Sequence, residues 1–210
     1  MNVLVLGATG SVGGHLVRQG LARGHRITVL VRSPEKMRAF EGRLTILQGD
    51  VLDRHAVEKA VAGQEAVIYS VGVSTISPTT LFSQSTKILL EAMVGNGVKR
   101  LICITGVGAG ETRGHGGFFY DRIIFPLFTK HRYQDKDRQE ELIRNSTLDW
   151  IIVRPAPFHE GESSGTLQAV TEVHGVTLRR ITRAEVATFA LDQLTDNRFL
   201  RNAPFIGHAH

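Results

Sequence analysis

Three glycines at intervals of three, Gly7, Gly10 and Gly13, separate the apolar run Val3-Leu4-Val5-Leu6 from the helix-like His15-Leu16-Val17-Arg18-Gln19. Glycine lets a backbone turn sharply and come close to a ligand, while the unpaired amides of a helix start supply donors and positive potential. Strand, glycine turn and helix therefore make a site for a nucleotide pyrophosphate. The spacing departs from G-x-G-x-x-G, and a tight strand-to-helix turn without a ligand is the alternative reading.

A second apolar run ends in Val31-Arg32-Ser33-Pro34, with Lys36 nearby, where an Asp or Glu would bind a free ribose hydroxyl. Arg32 suits a 2′-phosphate instead, through charge-assisted bonds worth about 1.5–3 kcal/mol, and so favours NADP over NAD. The alternative is a solvated arginine before a proline-started helix. Further on, Asp50 either accepts from an adenine amino group, with Val51 covering the ring, or caps the turn that follows. Ser70-Val71-Gly72 closes another apolar run, and its glycine permits either close cofactor approach or a simple turn.

These loops need strands behind them. Apolar runs at 3–6, 26–31, 44–48, 66–71, 100–105 and 150–154 read as strands. Val12, Leu16, Val17 and Leu21 space as one helix face, as do Ala56, Val57, Ala60 and Val61, with Asp53 a cap for the latter. Longer helices are expected over 79–94, stopped by left-handed positions in Gly95-Asn96-Gly97, and over 134–145. Alternating strands and helices predict an α/β chain, a doubly wound Rossmann-like parallel sheet with helices on both faces.

The last sixty residues read as a small C-terminal substrate-side portion. Residues 170–173 and 176–178 around His174-Gly175 predict a hairpin, and Thr182-Arg183-Ala184-Glu185 a capping box. Its helix carries Val186, Phe189, Ala190 and Leu194 on one side, 203–206 is a final short strand, and His208 with His210 a loose tail.

The 210 residues suffice for one sizeable domain over 1–210. The net charge of +5 is scattered, with no long basic run or RNA-binding aromatic motif, so no nucleic-acid partner is expected. No apolar run approaches the ~20 residues of a membrane span. With one cysteine and no basic leader before Gly7, the chain reads as a cytoplasmic protein, a monomer or homodimer acting on a small molecule. Cys103 lies in an apolar strand and reads as core, and the histidines show no metal-ligand spacing, so no metal is assigned.

Taken together, the chain resembles the atypical short-chain dehydrogenase/reductases, above all their small NAD(P)H-binding branch of flavin and biliverdin reductase-like proteins. The resemblance rests on residues 7–13, Val31-Arg32, Gly49-Asp50-Val51, the stretch 148–155 and the stretch 181–187, and covers nearly the whole chain. It implies that Thr9, Ser11 and Val12 join the glycines at the pyrophosphate, that Arg32 holds the 2′-phosphate, and that Asp50 and Val51 flank adenine. It further implies that Thr105, Lys136 and Pro155 surround the nicotinamide ribose and ring.

Many such relatives pair a tyrosine with a lysine four residues later, because the lysine lowers the phenol pKa for proton donation. Here Tyr133 precedes Lys136 by three, which on a helix rotates the partner by about 100°. Tyr120 has Ile124 four residues on, and Tyr69 lies inside a strand. Thr105 remains a hydroxyl for substrate or nicotinamide, Lys136 is either a ribose ligand or a solvated helix lysine, and Tyr133 is either a proton donor or an ordinary aromatic. The glycine-rich and aromatic stretch 106–128 is either cover for a flat substrate or packing for the core or a dimer. An NADPH-dependent reductase of a small planar acceptor, flavin- or quinone-like, is the leading expectation. An NADP(H)-binding sensor without turnover and a nucleotide-sugar epimerase or dehydratase are the alternatives.

Overall fold

A computed structural model of the chain describes residues 1–73, 77–112, 130–161, 165–174 and 176–209. The strands β1 (Asn2–Leu6), β2 (Arg26–Val31), β3 (Thr45–Gln48), β4 (Ala66–Tyr69), β5 (Arg100–Ile104), β6 (Asp149–Pro155), β7 (Leu167–Val170) and β8 (Phe205–His208) form one sheet in the order β3-β2-β1-β4-β5-β6-β8-β7. All neighbours pair in parallel except β7, which runs antiparallel to β8. The chain winds outward from β1 through β2 to β3, then returns to place β4 on the other side of β1. Ligands of such sheets bind at this reversal, beyond the carboxyl ends of the strands.

Helices α1 (Gly13–Ala22), α2 (Arg54–Val61), α3 (Leu81–Gly95), α4 (Lys130–Arg144) and α5 (Arg183–Asp192) cover both faces, with a 3-10 helix at Pro34–Phe40. The period of two decides which side chain meets which layer. Val3 and Val5 pack with Leu16 and Val17 of α1 and Val186 and Ala190 of α5, while Leu4 and Leu6 pack with Val57 of α2, Leu89 of α3 and Ile143 of α4. Because both faces are buried, β1 reads as an unbroken apolar run rather than an alternation.

The expected caps are formed: Asp53 accepts from the amides of His55 and Ala56. Thr182 and Glu185 exchange bonds at the start of α5, Thr182 N donating to Glu185 Oε2 at 2.9 Å and Glu185 N to Thr182 Oγ1 at 3.2 Å. In the run 95–97 only Gly97 is left-handed, at φ +69°, since Gly95 still belongs to α3.

The C-terminal portion differs from expectation. Val170 pairs with Phe205 in β8 rather than with 176–178, which lie outside the strands; Gly175 falls outside the described residues. Alternation marks an extended segment but not its partner, and β7 becomes the edge strand by pairing with β8 over four residues. The last strand runs two residues further than expected, which makes His208 a buried strand residue instead of a loose tail. Its Nε2 lies 2.8 Å from Glu185 Oε1 and its Nδ1 3.1 Å from the Gly165 carbonyl oxygen. Position 210 is outside the described residues, as are Tyr120 and the rest of 113–129. Among the described residues no helix is long and apolar enough to cross a membrane.

Candidate functional site

Close approach of three chain segments builds the site. Gly7 leaves β1 at φ +83°, and a Cβ there would lie 2.5 Å from the Ser70 carbonyl oxygen after β4. A Cβ on Gly13 would lie 2.1 Å from the Gly7 carbonyl oxygen, so the first turn of α1 sits directly on the loop. Gly10 N donates to Gly7 O at 2.9 Å, which closes the turn, and Val12 caps α1 with no side-chain hydrogen bond. At the helix start Gly14 N donates to Gly10 O and His15 N to Val12 O, each at 3.0 Å.

Beside this turn opens a cleft of about 450 Å³. Its lining comes from Gly10, Ser11 and Val12 after β1, Ser70, Val71, Gly72 and Val73 after β4, and Ile104 and Thr105 at the end of β5. Phe82 of α3, Arg132, Tyr133 and Lys136 of α4, and Phe158 after β6 complete it. Among the expected site residues, Gly10, Ser11, Val12, Ser70, Val71, Gly72, Thr105, Tyr133 and Lys136 therefore share one cavity. Gly7 and Gly13 shape it from beneath, and Thr9 is exposed on the same loop.

The rest lie outside the lining. Arg32 is exposed at the end of β2 and forms no ion pair among the described residues. Asp50 makes the turn bond expected of its second reading, accepting from Leu52 N at 2.9 Å, and Val51 is half-buried against the core. Pro155 ends β6, where its carbonyl accepts from Val107 N at 3.1 Å.

The three-residue spacing does not separate Tyr133 from Lys136 as far as a single helix face suggests. Tyr133 reaches Gly106, whose absent Cβ would sit 2.5 Å from the phenol oxygen. Lys136 Nζ lies 4.6 Å from the centre of the Phe82 ring and donates to the Ile104 carbonyl at 3.4 Å. Burial of this ammonium pushes its pKa below the ordinary lysine value. Residues three apart on a helix are neighbours on one face, so both side chains reach one cavity.

Behind Thr105 stands a group that sequence reading missed. Thr105 Oγ1 donates to Glu140 Oε1 at 2.7 Å, and Arg154 donates to both oxygens of Glu140, from Nε at 3.2 Å and from Nη2 at 2.5 Å. Glu140 is 3% exposed and Arg154 2%, while Arg154 Nη1 also meets the exposed Glu111 at 2.6 Å. Burial opposes the Arg154 charge, yet Glu140 and Glu111 together hold its pKa above the ordinary arginine value. Two signals were present: Tyr133, Lys136 and Glu140 recur at helical spacing, and Arg154 interrupts an apolar strand.

Asp135 was also missed. Fully buried on α4, it accepts from Phe82 N at 2.8 Å and from Ser83 Oγ at 2.5 Å, so it caps α3 from a distance and seats Phe82 in the cleft. Cys103 is buried as expected, and burial pushes its thiol up to about 12. Tyr69 is buried in β4, bonded to Ser85 at 2.7 Å, and takes no part in the cleft.

A family model described as NAD(P)H-binding matches residues 7–197. YhfK of Bacillus subtilis, named an uncharacterized sugar epimerase, is 25% identical over 206 residues, covering 94% of this chain and 92% of its own. ChuY of Escherichia coli O157:H7, an anaerobillin reductase, superimposes with a TM-score of 0.82 at 18% identity, covering 99% of this chain and 97% of its own. A short-chain dehydrogenase/reductase of Veillonella parvula in complex with NADP has a TM-score of 0.79 at 18% identity, covering 99% and 94%. Of several other curated relatives the chain spans only about half the length or less, from 51% down to 29%.

Proposed function

Because this chain belongs to the NAD(P)H-binding family, we propose that it is an NADPH-dependent reductase acting on a small planar acceptor of flavin or quinone type. The observation that carries the reading is the shared cleft: a glycine turn fit for a pyrophosphate opens into the same cavity as Thr105, Tyr133 and Lys136. The absent Cβ atoms at Gly7 and Gly13 let the turn pack tightly against Ser70 and against the start of α1, which supports a compact glycine turn at the mouth of the cleft.

Bound NADPH supplies the hydride. The protein's part is to hold donor and acceptor in register and keep water out. Exposed Arg32 at the end of β2 is placed to meet a 2′-phosphate, and its lack of an ion pair among the described residues leaves the guanidinium available. Lys136 and Thr105 line the nicotinamide end, and Tyr133, reaching the same cavity, is the side chain placed to give a proton to the reduced acceptor. Phe158, 39% exposed with the Arg183 guanidinium 4.9 Å from its ring centre, offers a flat face for a conjugated ring. The reductase naming of ChuY and the NADP complex of the Veillonella enzyme support this reading by likeness of fold.

A second reading, an NADP(H)-binding regulator without turnover, is favoured by the three-residue interval from Tyr133 to Lys136. One experiment separates them: calorimetry with NADPH and NADH, then NADPH oxidation against a panel of flavins, quinones and aldehydes. Binding with turnover of a planar acceptor is expected. Tight binding without consumption above background identifies the regulator, and no binding overturns both.

A further inference from the structure

The wall between the cleft and the solvent on its far side is one hydrogen bond thick at Thr105. Thr105 lines the cleft, while its partner Glu140 lines a separate cavity of about 370 Å³ with Glu111, Asp137, Arg144 and Arg154. We propose that Glu140, clamped by the buried Arg154, is a positioning residue that turns the Thr105 proton away from the cleft. The threonine then presents only lone pairs to the nicotinamide end of the dinucleotide and receives a hydrogen bond from an N–H or O–H there, such as the carboxamide or a ribose hydroxyl. This inference rests on the NADPH reading above and sets the polarity of that site.

The argument is one of counting. A threonine hydroxyl has a single proton and two lone pairs, and a carboxylate only accepts. At 2.7 Å from Glu140 Oε1 the proton is committed to the carboxylate. Glu140 cannot rotate to release it, because Arg154 holds both of its oxygens and is itself held by Glu111. Glu140 lines the far cavity yet is only 3% exposed, so little of the carboxylate is open to water. Thr105 is therefore excluded as proton source for the acceptor, and a ligand oxygen without a proton facing Thr105 meets lone pair against lone pair.

Neutron diffraction from crystals exchanged into D₂O and soaked with NADP tests the polarity directly. The deuteron is expected on the line from Thr105 Oγ1 to Glu140 Oε1, and a deuteron aimed into the cleft overturns the proposal. A second measurement uses NADPH affinity in a double-mutant cycle. Glu140→Gln, whose amide can donate to Thr105 and release its proton toward the cleft, is expected to weaken NADPH about tenfold. In a Thr105→Val background the same change should shift affinity by less than about twofold, whereas equal losses in both backgrounds, as a merely structural Glu140 would give, overturn it. If the parent chain binds no NADPH, the proposed function falls, and the deuteron position in the unliganded crystal still judges the role of Glu140.

Discussion

Gly13 and Gly14 are neighbours in α1, and replacing each by alanine is expected to move stability in opposite directions. At Gly13 the new methyl would stand 2.1 Å from the Gly7 carbonyl oxygen and 2.7 Å from Ala8 Cα. A carbon and a carbonyl oxygen in weak contact sit about 3.3–3.6 Å apart, so the overlap exceeds about 1 Å. Both obstructing atoms are backbone, which leaves no rotamer to absorb the clash, and α1 has to lift from the turn. Overpacking that side chains can partly relieve costs about 1–3 kcal/mol, and without that relief the upper end, about 3 kcal/mol, is expected. At Gly14 the nearest atom is the mobile Arg18 guanidinium at 3.6 Å, an ordinary contact, so alanine brings the usual helical gain of about 0.5–1 kcal/mol. Urea denaturation followed by circular dichroism reads both changes. Calorimetry should show NADPH binding weakened at least tenfold by Gly13→Ala and unchanged by Gly14→Ala, since the same displacement moves the turn proposed to hold the pyrophosphate. A Gly13→Ala protein with the parent's midpoint and affinity would refute the seating of α1 on the glycine turn.

Three further outcomes are expected. Arg32→Ala should weaken NADPH about ten- to a hundredfold, matching about 1.5–3 kcal/mol, and leave NADH nearly unaffected; equal losses in parallel titrations would remove Arg32 from the 2′-phosphate. Arg154→Met should destabilise the fold by about 3–5 kcal/mol in urea, because Glu140 is left buried without its partner, and a loss under about 1 kcal/mol would mean that the pair is not buried as described. Lys136 titrates below its unfolded value of 10.5, so between those two values the unfolded chain binds more protons and stability rises with pH. Lys136→Met should flatten that rise in denaturation midpoints taken across the alkaline range, and an unchanged slope would show that the ammonium is not desolvated.

Particular residues show why some of this was legible from the chain alone. Val3 to Gly13 could be read because every signal in it is local: an apolar strand, a glycine turn and a helix start follow one another within a dozen residues. The capping box at Thr182 and Glu185 and the cap at Asp53 are local in the same sense. Val170 could not be given its partner, because Phe205 lies far along the chain and alternation says nothing about which strand a segment meets. Arg154 and Glu140 were passed over because charges are ordinarily solvated, and only the approach of α4 to the ends of β5 and β6 places them against each other out of water.

By itself, then, the amino-acid order determined the doubly wound sheet, the glycine turn at its reversal point and the cationic end of β2, since each follows from short-range periodicity and backbone freedom. Only the tertiary structure decided which cavity Tyr133 and Lys136 enter, that Asp135 caps a helix other than its own, and that Thr105 is bonded to a buried carboxylate. Those are distances between segments remote in sequence. They are set by how layers pack, and packing depends on the whole set of side chains at once rather than on any stretch of them.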